Sequence, residues 1–257
     1  MFIPLHDANA LKHIRLQYVT LVLIAANVLV FLFANVALSE GAFNAAAISF
    51  GYIPAVVNDF RDLPPELVVI PEVWSLVSYS FLHGDFMHLA GNMLFLWVFG
   101  DNVEDAFGHV KFLLFYFACA AAGALAHGFL DGQSEAPLIG ASGAVAGIIG
   151  AYLMLHPKVW VWILAMGRIP LRLPAGIILL FWIGLQIFMV FAMAEDSVSW
   201  AAHIGGFFAG ALLVLVLRRR GVPLFDREIV TPAAVEFEEG VSPKLSRDIS
   251  SGPWGRG

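Results

Sequence analysis

The chain has 257 residues, of which 60% are hydrophobic and only 13% are charged, and its formal net charge is −6. Soluble proteins carry about a quarter charged residues, and no soluble fold could bury this much apolar surface. The acidic balance excludes the basic surface that nucleic acid requires. The lone cysteine, Cys119, excludes a disulfide or thiolate–metal framework. The composition therefore predicts a membrane protein that binds no nucleic acid.

Six apolar segments follow one another along the chain, at 16–38, 86–102, 110–130, 142–155, 175–194 and 199–217. A membrane-spanning helix needs roughly 17 to 25 residues, whereas the fourth segment reaches only about 21 Å at 1.5 Å per residue. We expect an all-α, six-helix transmembrane bundle with a short central fourth helix. It would occupy 16–217, between a cytoplasmic N-terminus (1–15) and a polar, disordered cytoplasmic tail (218–257).

Positive charge is distributed unevenly between the two sides of such a bundle. Arg61 would lie alone on one side, and the other side would carry nine cations: Lys12, Arg15, Lys111, Lys158, Arg168, Arg172 and Arg218 to Arg220. The positive-inside rule predicts cytoplasmic termini in the plasma (inner) membrane. In that topology His88, Ser142 and His203 each lie near the outer start of a segment, and we expect them at one depth.

The stretch between Pro157 and Pro170 contains two tryptophans but is too short to cross a bilayer. Tryptophan is enriched at the boundary between lipid and water. We predict an inner-leaflet loop, with Trp160 and Trp162 as aromatic anchors.

Ser142 lies in the run Gly140-Ala-Ser142-Gly143, at the start of the short fourth segment. A serine hydroxyl is a weak nucleophile until a neighbouring base takes its proton, and His203 is the base at matching depth. Small residues on both segments, including Gly143 and Gly206, allow helix backbones to approach closely. The pair therefore predicts a nucleophile and its general base. The alternative is a packing seam with two incidental polar residues.

His88 and Asn92 are four residues apart, hence on one helical face. With the backbone N–H of Ser142 they could stabilise the oxyanion of a tetrahedral intermediate. The alternative is that they tie the first external loop to the second helix, as His83 is expected to do. No carboxylate is placed to complete a triad, since Asp196 lies about 10 Å along a helix from His203. A Ser-His dyad is the simpler prediction.

These motifs resemble those of the rhomboid intramembrane serine proteases. Gly140-Ala-Ser142-Gly143 is similar to the family's G-x-S-G motif, Ala202-His203 with Gly206 and Gly210 to its A-H-x-x-G-x-x-x-G motif, and His88-x-x-x-Asn92 to its H-x-x-x-N motif. The resemblance implies a six-helix bundle with Ser142 as nucleophile and His203 as general base. It also implies His88, Asn92 and the Ser142 N–H as oxyanion donors, with no metal, ATP or other cofactor.

Two positions depart from the family pattern. Where family members often have Trp-Arg in the first external loop, this chain has Trp74-Ser75. Four residues after the nucleophile, members commonly carry an aromatic residue that packs on the base histidine, and here Ala146 stands. We therefore expect the loop and the base histidine to be positioned by other residues.

Three classes of function compete. An intramembrane serine endopeptidase would cleave single-pass transmembrane proteins whose helix is weakened near the outer face, because a stable helix shields its carbonyls in hydrogen bonds. A rhomboid-like pseudoprotease would bind membrane clients without cleavage. A transporter would carry polar residues along a path through the bilayer, whereas here they are expected in one layer.

Overall fold

A computed structural model describes residues 2–192 and 199–226. Asp196 and positions 227–257 of the predicted tail lie outside these residues, as does 193–194 at the end of the fifth predicted segment. The described chain is mostly helical, which confirms the predicted helical membrane bundle. A small three-stranded sheet, absent from the sequence prediction, packs at one end of that bundle.

Nine α-helices are present in the described residues. In chain order they are α1 (Tyr18–Phe31), α2 (Glu40–Phe50), α3 (Pro54–Val57), α4 (Ser75–Ser78), α5 (Phe86–Phe107), α6 (His109–Leu130), α7 (Ser142–Leu155), α8 (Ala175–Phe191) and α9 (Trp200–Leu217). A π-helical turn, Leu32–Ala37, extends α1, and single 3₁₀ turns occur at Pro65–Leu67, Glu72–Trp74 and Tyr79–Phe81. The six predicted segments correspond to α1 and α5 to α9.

The spanning helices differ in length. Three described helices are long and apolar enough to cross a membrane: Tyr18–Ala37, His109–Leu130 and Trp200–Leu217. Ser142–Leu155 and Ala175–Phe191 are shorter apolar helices. The predicted bounds of the fourth segment agree with α7 at both ends. Because α7 is buried along almost its whole length, it is the central helix of the bundle.

Helices α7 and α9 approach each other more closely than side chains would allow. A Cβ atom added at Gly206 would lie 1.9 Å from the carbonyl oxygen of Gly143, and one at Gly210 would lie 1.9 Å from that of Gly147. Only glycine fits at these two positions of α9. The backbones therefore touch at the end of α7 that carries Ser142, as the small-residue pattern predicts.

The sheet has the order β1 (Phe2–Asp7), β2 (Trp160–Ala165), β3 (Ile169–Pro174), with both pairs antiparallel. The stretch between Pro157 and Pro170, predicted as a loop, instead contains strand β2 and the turn into β3. Aromatic and β-branched residues favour strands, and they alternate here in Trp160-Val-Trp162-Ile. A tight turn joins the strands, with Met166 and Gly167 at positive φ of 52° and 68°.

Acidic residues at the last turns of α5 attach the N-terminal segment to the bundle. The carboxylate of Glu104 is fully buried and accepts hydrogen bonds from the Val19 N–H (3.0 Å) and from the Thr20 N–H and hydroxyl (2.8 and 2.7 Å). It thereby satisfies backbone donors at the start of α1 that have no partner within the helix. Asp105 accepts from the N–H groups of His13 and Ile14, at 2.6 and 2.7 Å.

A second buried carboxylate joins β1 to the bundle. Asp7 accepts hydrogen bonds from the Tyr152 hydroxyl (2.6 Å) and from Asn102 Nδ2 (3.1 Å). Burial raises the pKa of Asp7 to about 7, a shift that the Tyr152 hydrogen bond opposes and the charge of Asp101 reinforces. We call this end of the molecule, with the sheet and the last turns of α5, the Asp105 end, and the opposite end the Ser142 end.

Segments predicted to share one side of the membrane do share one end. Strand β1 pairs with β2, and the Arg219 N–H donates to the Ala106 carbonyl at 2.8 Å. The N-terminus, the connection from α7 to α8 and the segment after α9 therefore all lie at the Asp105 end.

Candidate active site

Ser142 is the first residue of α7 and is half-buried at the Ser142 end. The chain reaches it through Gly140, whose φ of +118° favours glycine. A Cβ at Gly140 would also lie 2.5 Å from His88 Nε2, so the backbone and the histidine are in direct contact. This close approach brings His88, on α5, to the residue two before Ser142.

His203 lies in the first turn of α9, which Ser199 caps by accepting a hydrogen bond from the Ala202 N–H at 3.2 Å. The contact between Gly143 and Gly206 places the first turns of α7 and α9 side by side, and Ser142 lies one residue before Gly143 while His203 lies three residues before Gly206. Across the described residues, Ser142 Oγ forms no hydrogen bond to His203 within 3.5 Å. Catalytic hydrogen bonds are often longer before substrate binds.

The His203 ring is held by two residues of α8. Its Nδ1 lies 2.7 Å from Gln186 Oε1, and the ring of Trp182 is tilted by 30° to it at a centroid distance of 5.8 Å. Trp182 and Gln186 are four residues apart, so both project from one face of α8. The Trp200 ring contacts His203 edge-on at 6.1 Å. These contacts supply the positioning that an aromatic residue at Ala146 would otherwise give.

Gln186 was missed by the sequence reasoning. It is buried, and it is the only strongly polar side chain in the seventeen residues of α8. Polar groups inside membrane segments face the bundle interior, where they find partners. A single glutamine in an otherwise apolar segment is the sequence signal that points to a buried polar contact at Gln186.

His88 and Asn92 both lie on α5 near Ser142, but they have different surroundings. His88 is half-buried, and its Nε2 faces Gly140. Asn92 is buried, and its Nδ2 lies 3.1 Å from His83 Nε2. Both residues therefore lie at the Ser142 end, and the contact of Asn92 with His83 is of the kind that the alternative predicts, a tie between the loop and the second helix.

His83 has the tying role expected of it. It is fully buried, and its Nε2 accepts a hydrogen bond from the Ala141 N–H at 3.4 Å. Burial, together with the charge of the neighbouring His88, lowers the pKa of His83 to about 4. The imidazole is therefore neutral at pH 7, and it joins the loop before α5 to the residue preceding Ser142.

The segment between α2 and α5 has Ser75 where family members often have an arginine, and other contacts anchor this segment. Tyr52 and Leu138 exchange backbone hydrogen bonds of 3.1 and 2.8 Å, and Arg61 pairs with Glu135 at 2.7 Å. The segment before α5 is thereby tied to the loop that leads into α7. The hydroxyl of Ser75 donates to the Glu72 carbonyl within the loop itself.

Comparison with known proteins agrees with this architecture. A family model described as a Rhomboid domain matches residues 71–220, which is more than half of the chain. The chain therefore belongs to the rhomboid family, and it is a multi-pass membrane protein.

Three curated relatives illustrate the match. This chain is 34% identical to RHOMBOID-like protein 5 of Arabidopsis thaliana, over 62% of this chain and 48% of the relative. It is 35% identical to Rhomboid protease GluP of Bacillus subtilis (strain 168), over 58% and 28% respectively. It is 25% identical to Rhomboid protease GlpG of Haemophilus influenzae, over 55% and 68%. The aligned part thus spans less than half of the first two relatives.

Proposed function

We propose that the protein is an intramembrane serine endopeptidase that uses Ser142 and His203 as a catalytic dyad. The backbone contact between Gly143 and Gly206 carries the proposal, because it brings the first turns of α7 and α9 together at one end of the bundle. Both named residues lie in those turns. The names of relatives such as Rhomboid protease GluP support the same activity.

The contact with Gln186 assigns the protons of the His203 ring. A glutamine Oε1 only accepts hydrogen bonds, so Nδ1 carries the proton that it receives at 2.7 Å. Nε2 is then left with the lone pair that can remove the proton from Ser142 Oγ. The oxygen attacks the substrate carbonyl carbon, and His203 gives the proton to the amine that leaves as the C–N bond breaks. Water, activated by His203, then hydrolyses the acyl-enzyme and restores Ser142. Gln186 is a positioning residue in this scheme.

The negative charge that develops on the carbonyl oxygen needs donors. Within the described ranges the Ser142 N–H has no hydrogen-bond partner, as is typical of the first residue of a helix. His88 lies beside Gly140, and Asn92 could turn its amide from His83 toward the same space. We assign all three groups to the oxyanion site.

The remaining assignments follow from the charge distribution and from the site. We place the protein in the plasma (inner) membrane with both termini cytoplasmic, so that Ser142 opens toward the outer side. Its substrates would be single-pass transmembrane proteins with a helix weakened by Gly, Ala, Ser or Pro near that side. The reaction needs no cofactor or metal, because serine and histidine supply the nucleophile and the base.

Two observations favour a second candidate, a rhomboid-like pseudoprotease. No hydrogen bond joins Ser142 to His203 in the described structure, and Ala146 replaces the usual aromatic residue. A protein that binds membrane clients without cleavage would not need that hydrogen bond. The transporter alternative is less favoured, because the polar residues of the candidate site gather at the Ser142 end.

Cleavage of a model transmembrane substrate by the purified full-length chain tests the proposal. Ser142→Ala and His203→Ala should each lower kcat by at least about 10³-fold with the thermal unfolding temperature unchanged, and the double variant should be no worse, because the two groups act as a unit. Wild-type cleavage by Ser142→Ala would contradict the dyad. Substrate binding without any cleavage by the wild type would favour the pseudoprotease.

A further inference from the structure

Strands β2 and β3 present one face away from the helices. Successive side chains of a strand point to opposite sides, and Val161 and Ile163 of β2 are buried whereas Trp160 and Trp162 are exposed. Arg172 of β3 pairs with Trp162, so it lies on the exposed side. We call this side, together with the exposed Lys158 and Arg168 at its ends, the hairpin face.

The hairpin face carries three cations and no acid. Lys158, Arg168 and Arg172 are all exposed, and the chain contains no Asp or Glu from 136 to 194. None of the three forms an ion pair with any residue in 2–192 or 199–226. The Arg172 guanidinium lies 5.5 Å from the centroid of the Trp160 ring, so a cation–π contact orders it on the face. This patch attracts anions.

The hairpin is located where the membrane-spanning helices end. Helix α7 ends at Leu155, with four residues between it and β2, and α8 begins at Ala175, directly after β3. The first turns of α8 already expose Ile177, Leu180 and Phe181, as expected of a helix surrounded by lipid. This position would place the tryptophans of the hairpin at the depth of the lipid head groups, where tryptophan is enriched.

We propose that the hairpin face binds the head groups of anionic phospholipids in the leaflet at the Asp105 end. The three cations would contact phosphate and other anionic groups, and Trp160 and Trp162 would insert beside them. A second copy of this chain is a poor occupant, because an isologous contact would oppose two basic patches. The proposal goes beyond proteolysis and stands whether or not the protein cleaves substrates.

Tryptophan quenching in nanodiscs tests this proposal on the full-length chain. The discs contain phosphatidylcholine with a fixed fraction of acyl-brominated phosphatidylglycerol or, in parallel, acyl-brominated phosphatidylcholine. The hairpin signal is the difference between the protein and its Trp160→Phe/Trp162→Phe variant. We expect stronger quenching of this signal by brominated phosphatidylglycerol, and we expect high salt to reduce the difference by screening.

The triple variant Lys158→Gln/Arg168→Gln/Arg172→Gln should lower the preference for phosphatidylglycerol by about fivefold or more, because each cation near the surface contributes separately. Arg61→Gln is the matched control, since it removes an exposed cation at the Ser142 end, and it should leave the preference unchanged. Equal quenching by the two lipids, or an unchanged preference in the triple variant, would overturn the proposal. Absence of quenching by either lipid would also overturn it, because protein would then cover the face.

Discussion

The two ends of the bundle differ in how completely their key polar groups are hydrogen-bonded. At the Asp105 end, the buried carboxylate of Glu104 accepts three hydrogen bonds from the start of α1, and Asp105 accepts several more from the N-terminal segment. At the Ser142 end, bare backbone contacts between glycines hold α7 and α9 together. Ser142 Oγ and the Ser142 N–H have no hydrogen-bond partner there among the described residues.

We infer from this difference that the Asp105 end contributes mainly to stability and the Ser142 end mainly to catalysis. Groups whose hydrogen bonds are already satisfied fix the fold but have little left to offer a substrate. Ser142, in contrast, keeps a hydroxyl and an amide available at a rigid helix start. We therefore expect variants at the Asp105 end to change the free energy of unfolding, and variants at the Ser142 end to change kcat.

The largest effect is expected from Glu104→Gln. A glutamine presents an NH₂ group to donors from Val19 and Thr20, so at least one buried hydrogen bond is lost and a repulsive contact is created. The free energy of unfolding should fall by about 3 kcal/mol, measured by chemical denaturation in detergent. The kcat of the folded fraction should stay unchanged.

The matched control for that variant is Glu135→Gln, which alters an exposed carboxylate paired with Arg61. Exposed ion pairs contribute about 0 to 1 kcal/mol, so its unfolding should resemble that of the wild type. If Glu104→Gln unfolded like Glu135→Gln, the structural role given to the Asp105 end would be wrong.

Gly206→Ala should have the next largest effect, this time on activity. The new methyl group would lie 1.9 Å from the Gly143 carbonyl oxygen, so α9 must move away from α7 and take His203 with it. Displacement of catalytic groups by about 1 Å can lower kcat by about 100-fold. The cleavage rate of the folded variant measures the effect.

Gly184→Ala is the control for this substitution, because a Cβ atom at Gly184 would meet no other atom within 4 Å. It should cleave at the wild-type rate. Full activity in Gly206→Ala would show that close approach of the two helices is unnecessary.

Gln186→Leu should lower kcat by about tenfold with little change in KM. The substitution removes the hydrogen-bond acceptor of His203 Nδ1, and one neutral hydrogen bond contributes about 1 kcal/mol. Gln186→Glu keeps an acceptor oxygen and should restore most of the rate. Nitrogen NMR of His203 should show the Nδ1–H tautomer in the wild type and in Gln186→Glu, and a mixture in Gln186→Leu. Equal losses in both variants would reject the positioning role.

Asp7→Asn should change the pH dependence of stability and leave kcat unchanged. Because burial raises the pKa of Asp7 to about 7, this carboxyl binds more protons in the folded protein than in the unfolded chain between about pH 4 and pH 7. The contribution of Asp7 to the free energy of unfolding therefore falls as pH rises through this window. Asp7→Asn should lose this dependence and be more stable than the wild type at pH 8.

Thermal unfolding of the wild type and of Asp7→Asn at pH 5 and pH 8 measures this pH dependence. Asp59→Asn, which alters an exposed carboxyl, is the control. A wild-type pH dependence in Asp7→Asn would contradict the assignment to Asp7.

The sequence predicted most of the bundle because its signals are local. Apolar runs interrupted by charge set the helix bounds, so α7 agreed with its prediction at both ends, and glycines marked the contact between α7 and α9. The sheet was not predicted, since β1 pairs with a strand more than 150 residues away, and such non-local pairing leaves no local pattern.

The candidate site was predicted unevenly for a related reason. Ser142 and His203 belong to short motifs, so their types and spacing could be recognised. The contact of His203 with Gln186 depends on how α8 packs beside α9, and the partnership of Asn92 with His83 depends on the path of the loop before α5. Neither packing is encoded in a motif.

The central claim is that His203 activates Ser142 at the Ser142 end of the bundle. Labelling with a fluorophosphonate, which reacts with activated serines, followed by peptide mass spectrometry tests it most directly. The account predicts a covalent adduct on Ser142 in the full-length wild type and none in His203→Ala, with both proteins folded. An adduct that forms equally fast in His203→Ala, or no adduct on Ser142 in a folded wild type, would contradict it.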